Sequence, residues 1–200
     1  MARPPAIHPV LYSLSSPMAA ICRNESRYIA MTAPESMPDI RARIERAIQR
    51  VVRATAPLSP DQLLLPCLPD GWTVKDVLAH LTWWDQWLLA TLPADEALDG
   101  PRILPPLFDQ TSETQDSIDA MNAKVFAHYR SRSVADVLEG FAATRQRVAA
   151  RVARLSEEDL FAPEGLSKQL GFPAAPLIQG IYEHYEEHAD QLERLPFVSR

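Results

Sequence analysis

Glycine is scarce in this chain, six in 200 residues, and runs of β-branched residues are short. A sheet-rich fold uses both, so the shortage argues against one. Cysteine is scarcer still. Cys22 and Cys67 stand in neither a metal-binding nor a redox spacing. They read as reduced thiols of a cytoplasmic protein, with a single disulfide as the alternative. No apolar run approaches the ~20 residues that span a bilayer, so no membrane partner is expected. A basic stripe is also missing. Twenty Lys and Arg stand against 26 Asp and Glu, for a net charge of −6 with the signs mixed along the chain. On that ground, and for want of a recognisable binding motif, nucleic acid is excluded as a partner. There is no phosphate loop, no Ser-His-Asp arrangement and no cysteine placed as a nucleophile.

What is present is helix. Apolar residues make up 46% and charged residues 23%, enough for one domain with a substantial core. Residues 1–36 stand apart, with prolines at 4, 5, 9, 17 and 34 and no sustained period. They read as a disordered extension or as translation from an upstream start, with Met31 and Met37 as the other starts. The domain is assigned to residues 37–200. Its first helix is expected from Asp39, as N-cap, to Thr55. Ser59 and Gln62 then form a capping box for one short turn. A second helix runs from the cap pair Thr73 and Asp76 to Leu92, before Pro93. Pro93 to Thr111 is a proline-rich connection, a structural crossing or a lid. A further segment from Glu113 to Tyr129 follows. Ser133 and Asp136 start a third long helix, Phe161 to Pro176 makes a loop, and a last helix carries residues 181–192.

That last run, I-Y-E-H-Y-E-E-H-A-D-Q-L, sorts into two faces. Glu183, Glu186, Glu187, Asp190 and Glu193 form an acidic side. Ile181, Tyr185, His188 and Leu192 lie opposite, with His184 at their edge. Residues four apart on a helix stack, so His184 and His188 can share one metal ion or sit as two hydrogen-bonded core histidines. The second helix repeats the pattern. Val77, His80, Leu81, Trp84 and Leu88 share one side; Lys75, Ala79, Thr82 and Gln86 share the other. Three imidazoles buried without a common partner would each lose hydration. Trp83, Trp84 and Trp87 form either core filler with a subunit contact, which would make a homodimer, or an aromatic wall for an apolar substrate. With Tyr185, Trp84 and Trp87 are the candidate substrate contacts. Arg145 interrupts the apolar stripe of the third helix, and either snorkels, pairs with a carboxylate or anchors an anionic substrate group. Glu183, Glu187 and Asp85 are the acids near the histidines. Their places on the wheel favour solvent or the flanks, and none is assigned as a general base.

D-V-L-A-H-L on one helix and H-Y-E-E-H on a later one resemble the DinB-like superfamily of four-helix bundles. The wider run G-W-T-V-K-D-V-L-A-H-L-T-W-W-D, with M-N-A-K-V-F-A-H-Y-R and E-H-Y-E-E-H, looks most like its ClbS/DfsB branch. The resemblance covers roughly Met37 to Leu195. It implies an all-α bundle, with the long connection between helices two and three serving as a crossover. It also implies a divalent metal, zinc or nickel, on His80, His184 and His188, and chemistry on a small-molecule substrate. That chemistry is thiol-dependent transfer with a low-molecular-weight thiol, or hydrolysis in the detoxification of a reactive molecule. A non-catalytic sequestering protein and a dimeric helical interaction protein are the other readings.

Overall fold

The computed structural model describes residues 36–95, 105 and 115–198. Most of the N-terminal segment, Cys22 and most of the connection over residues 93–111 lie outside them. Among the described residues there is helix and no strand. Four long helices make the bundle: α1 (Met37–Thr55), α3 (Val74–Thr91), α5 (Val134–Arg154) and α8 (Ala174–Glu193). Short α2 (Pro60–Leu63) joins α1 to α3, and α4 (Gln115–Tyr129) packs against α3. Two further short helices, α6 (Glu157–Phe161) and α7 (Leu166–Leu170), lie between α5 and α8. No helix among the described residues is long and apolar enough to cross a membrane.

The helix starts follow local capping chemistry. Thr73 and Asp76 cap α3 reciprocally, as Ser59 and Gln62 cap α2 and Ser156 and Asp159 cap α6. Ser133 accepts from the Asp136 amide at the start of α5. The cap of the first helix falls three residues earlier than expected. Ser36, not Asp39, is its N-cap and accepts from the Asp39 amide, and Pro38 sits in the first turn, where no N–H is needed. The expected loop from Phe161 to Pro176 holds α7 and the first turn of α8.

Side-chain pairings give the topology. Arg43 binds Glu186 and Arg50 binds Glu193, each 143 residues apart, so α1 and α8 run parallel. Gln86 meets Thr144 and Arg151 meets the Pro93 carbonyl, each 58 residues apart, so α3 and α5 also run parallel. Arg41, near the start of α1, donates to the carbonyls of Val152 and Leu155 at the end of α5, so those two helices are antiparallel. The order is up, down, down, up. Two parallel pairs require a long return between α3 and α5, and that is where the proline-rich connection and α4 lie.

The acidic face of α8 is partly covered rather than solvated. Arg43 grips Glu186 with two bonds of 2.9 and 2.8 Å and lies 4.1 Å over the Tyr182 ring. Arg50 spans Asp190 and Glu193, each at 2.6 Å. These pairs are part-exposed and fix register more than stability. Helix α3 departs further from a two-faced pattern. Lys75, Ala79 and Thr82, on its supposed outer side, are 6%, 2% and 3% exposed, because α4 and α5 cover them. Lys75 Nζ donates to the carbonyls of Arg130 and Arg132, just beyond the C-terminal end of α4. So α3 is the central helix of the fold, and from Val74 to Asp85 every residue on it is buried wherever it points.

One glycine is required by packing. A Cβ on Gly165 would sit against the carbonyl oxygens of Glu158 and Asp159, the latter at 2.5 Å. Those oxygens belong to α6 and cannot swing aside. Gly165→Ala is expected to cost about 1–3 kcal/mol. The measurement is the denaturant midpoint at unchanged m-value; no shift would mean that the α6–α7 link relaxes freely.

Candidate metal centre

The antiparallel pair α3 and α8 brings His80 to His184 and His188. The Nε2 atoms of His80 and His184 face each other at 2.8 Å, and those of His184 and His188 at 3.2 Å. One nitrogen from each ring lies within 4.8 Å of the other two. The rings meet edge to face, at 76°, 75° and 63°. His80 and His184 are 5% and 8% exposed. Their locations hold all three rings neutral. Burial, and then the neighbouring imidazoles, push His80 and His184 well below the usual histidine range. Burial takes His188 down to about 4, against a smaller upward pull from Gln191. Neutral rings are the form that ligates metal.

The donor set can be tested against a cation from its own hydrogen bonds. His188 Nδ1 donates to Gln191 Oε1 at 3.0 Å, which leaves its Nε2 as a bare lone pair. His184 Nε2 carries at most one proton to share between His80 and His188. If instead His80 carries the proton, two lone pairs face each other across 3.2 Å. A cation among the three nitrogens accepts every lone pair at once. Two imidazoles on a tetrahedral zinc at ~2.0–2.1 Å are ~3.3 Å apart, so the 2.8 Å pair must open slightly, the 3.2 Å pair already suits an ion, and the widest pair, within 4.8 Å, must close. The residues fit a divalent ion. His128 is not among them and packs edge-on to Tyr129.

Tryptophans flank the site. The Trp72 and Trp84 rings stand 5.5 and 6.3 Å from His80, both edge-on. Trp72 stacks on Phe126 of α4 at 5.5 Å, and Trp84 Nε1 donates to Asn122 Oδ1. Trp83, Trp84, Ile118 and Val125 form a second apolar cluster, with Trp87 packed against it. Thus α4 covers the tryptophans that read as a subunit contact. Trp72 escapes a helical wheel because it precedes the N-cap. Its place immediately before the N-cap Thr73, where a hydrophobic staple begins, is the signal that would have found it.

The other polar candidates gather on a different side of α3. Asp85 is buried, 4% exposed, where the wheel favoured solvent or a flank. Tyr185, also buried, donates its hydroxyl to Asp85 Oδ2 at 2.6 Å. Burial pushes the Asp85 carboxyl up to about 7, against the Tyr185 bond. Burial and then Asp85 hold the Tyr185 hydroxyl well above its ordinary value. Arg145 lies near this pair. Its charge acts on Tyr185, its Cζ stands 5.8 Å from the Phe141 ring, and its Nε is buried without a hydrogen-bond partner. Glu187, half-buried beside His188, has its carboxyl raised by burial. An arginine donor already unpaired loses little on removal. Arg145→Met should therefore lie within about 1 kcal/mol of the parent in denaturant unfolding. A larger loss would reveal a buried partner for the guanidinium.

The sequence profile of the DinB superfamily matches residues 43–192. No curated protein is matched by sequence. Solved structures that share the fold include three at TM-scores of 0.60 to 0.62. The colibactin self-resistance protein ClbS, in complex with double-stranded DNA, has a TM-score of 0.62 at 16% identity, covering 82% of this chain and 97% of that one. An uncharacterised protein from Escherichia coli UTI89 has 0.61 at 12%, covering 81% and 93%. DfsB, a sibling lethal factor precursor, has 0.60 at 14%, covering 80% and 95%. The first of these corrects the exclusion of nucleic acid as a partner. A chain of the same fold was solved on duplex DNA, so absence of a basic stripe does not exclude it. Net charge sums over the whole chain, whereas phosphate contacts need only a few donors on one face.

Proposed function

The chain belongs to the DinB superfamily, and from that premise we propose a metal-dependent enzyme of the ClbS/DfsB type that acts on a reactive small molecule. His80, His184 and His188 hold the divalent ion, zinc or nickel. The observation that carries the reading is the convergence of three neutral Nε2 atoms, two buried and that of His188 part-buried, at least one pair of which no single proton satisfies. Three protein ligands leave coordination positions open, and an ion there would supply Lewis acidity to a substrate group, water or thiol. The remaining tasks fall to this chain. Trp72, Trp84 and Trp87 give the apolar wall that takes the hydrophobic part of a substrate and excludes water. Arg145 has an unused donor for an anionic group. The reaction is hydrolysis, or transfer of a low-molecular-weight thiol, in detoxification or self-resistance.

A second reading has an observation of its own. The 2.8 Å approach of His80 and His184 also suits a hydrogen bond between neutral rings. On that reading the protein sequesters its ligand without metal. One experiment separates them. Elemental analysis of protein purified without added metal is paired with turnover assays on a panel of reactive electrophiles, with and without a small thiol. Duplex DNA serves as an additional binding probe, because a protein of this fold was solved with it. About one ion per chain together with metal-dependent turnover supports the enzyme. Stoichiometric ligand binding, with no ion present and none taken up, overturns it in favour of sequestration.

A further inference from the structure

The structure assigns a second role on the same helix pair: we propose that Asp85 and Tyr185 are the positioning pair of the histidine site. This rests on the metal reading of the triad.

His80 and Asp85 both lie on α3, and His184 and Tyr185 are adjacent on α8. Five residues along α3 are about 7.5 Å of rise and about 140° of rotation. Tyr185 is turned about 100° from His184 in the same way. Between these directions on α3 lie Val77, Leu81 and Leu88; between them on α8 lie Ile181 and Leu192. All five are buried in the main core. The histidines therefore sit on one flank of the α3–α8 seam, and the Asp85–Tyr185 bond sits on the other. An apolar seam alone lets two helices roll and slide by small amounts at little cost. Contacts on one flank leave that roll free. A short bond on the opposite flank, within about two turns, removes it.

The bond is suited to the task. It is 2.6 Å long and both side chains are buried. Water cannot replace either partner, so breaking it leaves a buried carboxyl unmatched. Helix α8 packs chiefly on α1, and α3 on α5, so the contact between α3 and α8 is the smaller one for each of them. With a smaller contact to set their spacing, a directional bond has more to decide. Asp85 and Tyr185 need touch neither metal nor substrate. They fix where His80 stands relative to His184 and His188.

The test uses the full chain, stripped of metal, with Co(II) alone as the probe. Tyr185→Phe removes the donor. Asp85→Asn keeps an acceptor for the tyrosine and is the conservative rescue. Asp85→Leu/Tyr185→Phe removes the bond without stranding a buried carboxyl, which covers the case in which Tyr185→Phe fails to fold. Variants lacking the bond should bind Co(II) about 10–100-fold more weakly, the usual cost of losing an outer partner of a metal site. They should also change the visible absorption of bound Co(II), whereas Asp85→Asn stays close to the parent in both. A second measurement is made without metal: the nuclear Overhauser contact between the His80 and His184 rings. It should weaken in the bond-free variants and persist in Asp85→Asn. If the variants melt lower yet keep the parent's Co(II) spectrum and ring contact, the pair is only a stabiliser and the proposal is overturned. If the parent binds no Co(II), the metal reading fails separately, and the ring contact still decides whether this pair positions the histidines.

Discussion

His80→Ala, His184→Ala and His188→Ala are each expected to lose divalent metal, while His128→Ala binds it as the parent does. Each triad change removes one of only three protein nitrogens. The loss should exceed the ~10–100-fold that outer-shell changes cost. Titration of Zn(II) into EDTA-stripped protein reads the affinity directly. Thermal melts give an independent reading. A ligand that binds only the native state stabilises it by about 2.7 kcal/mol at a hundred times its dissociation constant. The parent and His128→Ala should therefore gain melting temperature on adding zinc, and the triad variants should not. All four should stay folded without metal, because the main core runs from α1 to α8 without relying on the triad. If the chemistry is metal-dependent, the three variants lose turnover together. Zinc binding that survives two of the three changes would remove the histidines from the metal site.

How much of this was legible in the sequence depends on the kind of information each residue carries. Caps such as Thr73 with Asp76 and Ser156 with Asp159 act over three residues, and the sequence contains all of that interaction. The apolar stripes of α1 and α8 were legible because each helix has one covered and one more open face. The histidines were legible for the same reason, since three of them fell on inward stripes. Helix α3 defeated that reasoning. With α4, α5 and α8 all packed against it, both of its sides are inside, and periodicity no longer says which residues are buried. Asp85 and Lys75 were misjudged on that account, and each is buried with a partner that no local rule names: Tyr185 a hundred residues away, and two carbonyls beyond the end of α4. Trp72 was missed because it approaches His80 from a turn, where the helical period does not apply. The exclusion of nucleic acid failed for a different reason: total charge carries no spatial information.

The metal-free protein should lose stability steeply as the pH falls from about 6.5 towards 4. The three triad histidines have folded-state values below their ordinary 6.5, chiefly through burial. In the unfolded chain they take up protons below 6.5; in the folded chain they do not until about 4, where His188 titrates. A depressed histidine favours the folded state at high pH and costs it stability as the pH drops through that window. Asp85 acts in the opposite sense. Its folded value is raised from 3.8 to about 7, so the folded state holds a proton that the unfolded state has released. It contributes stability below 3.8, and that contribution is lost as the pH rises through 7. Around pH 5 the unfolded chain binds three protons more on the histidines and one fewer on Asp85, a difference of two. At about 1.4 kcal/mol per proton per pH unit, the slope is about 2.7 kcal/mol per unit, with stability rising with pH. Glu187 opposes the histidines as Asp85 does, and Glu193 acts with them; both are more open to water and weigh less. Asp85→Asn removes the opposing proton, so its slope in the same window should steepen to about 4 kcal/mol per unit. Urea unfolding at half-unit pH steps, with EDTA present, measures both. A flat profile in the parent between 6.5 and 4 would mean that the rings charge as freely in the folded protein as in the unfolded chain, and that the triad is open to water. Equal slopes in the parent and Asp85→Asn would mean that Asp85 is ionised in the folded bundle, and its burial would then need a cation other than the proton.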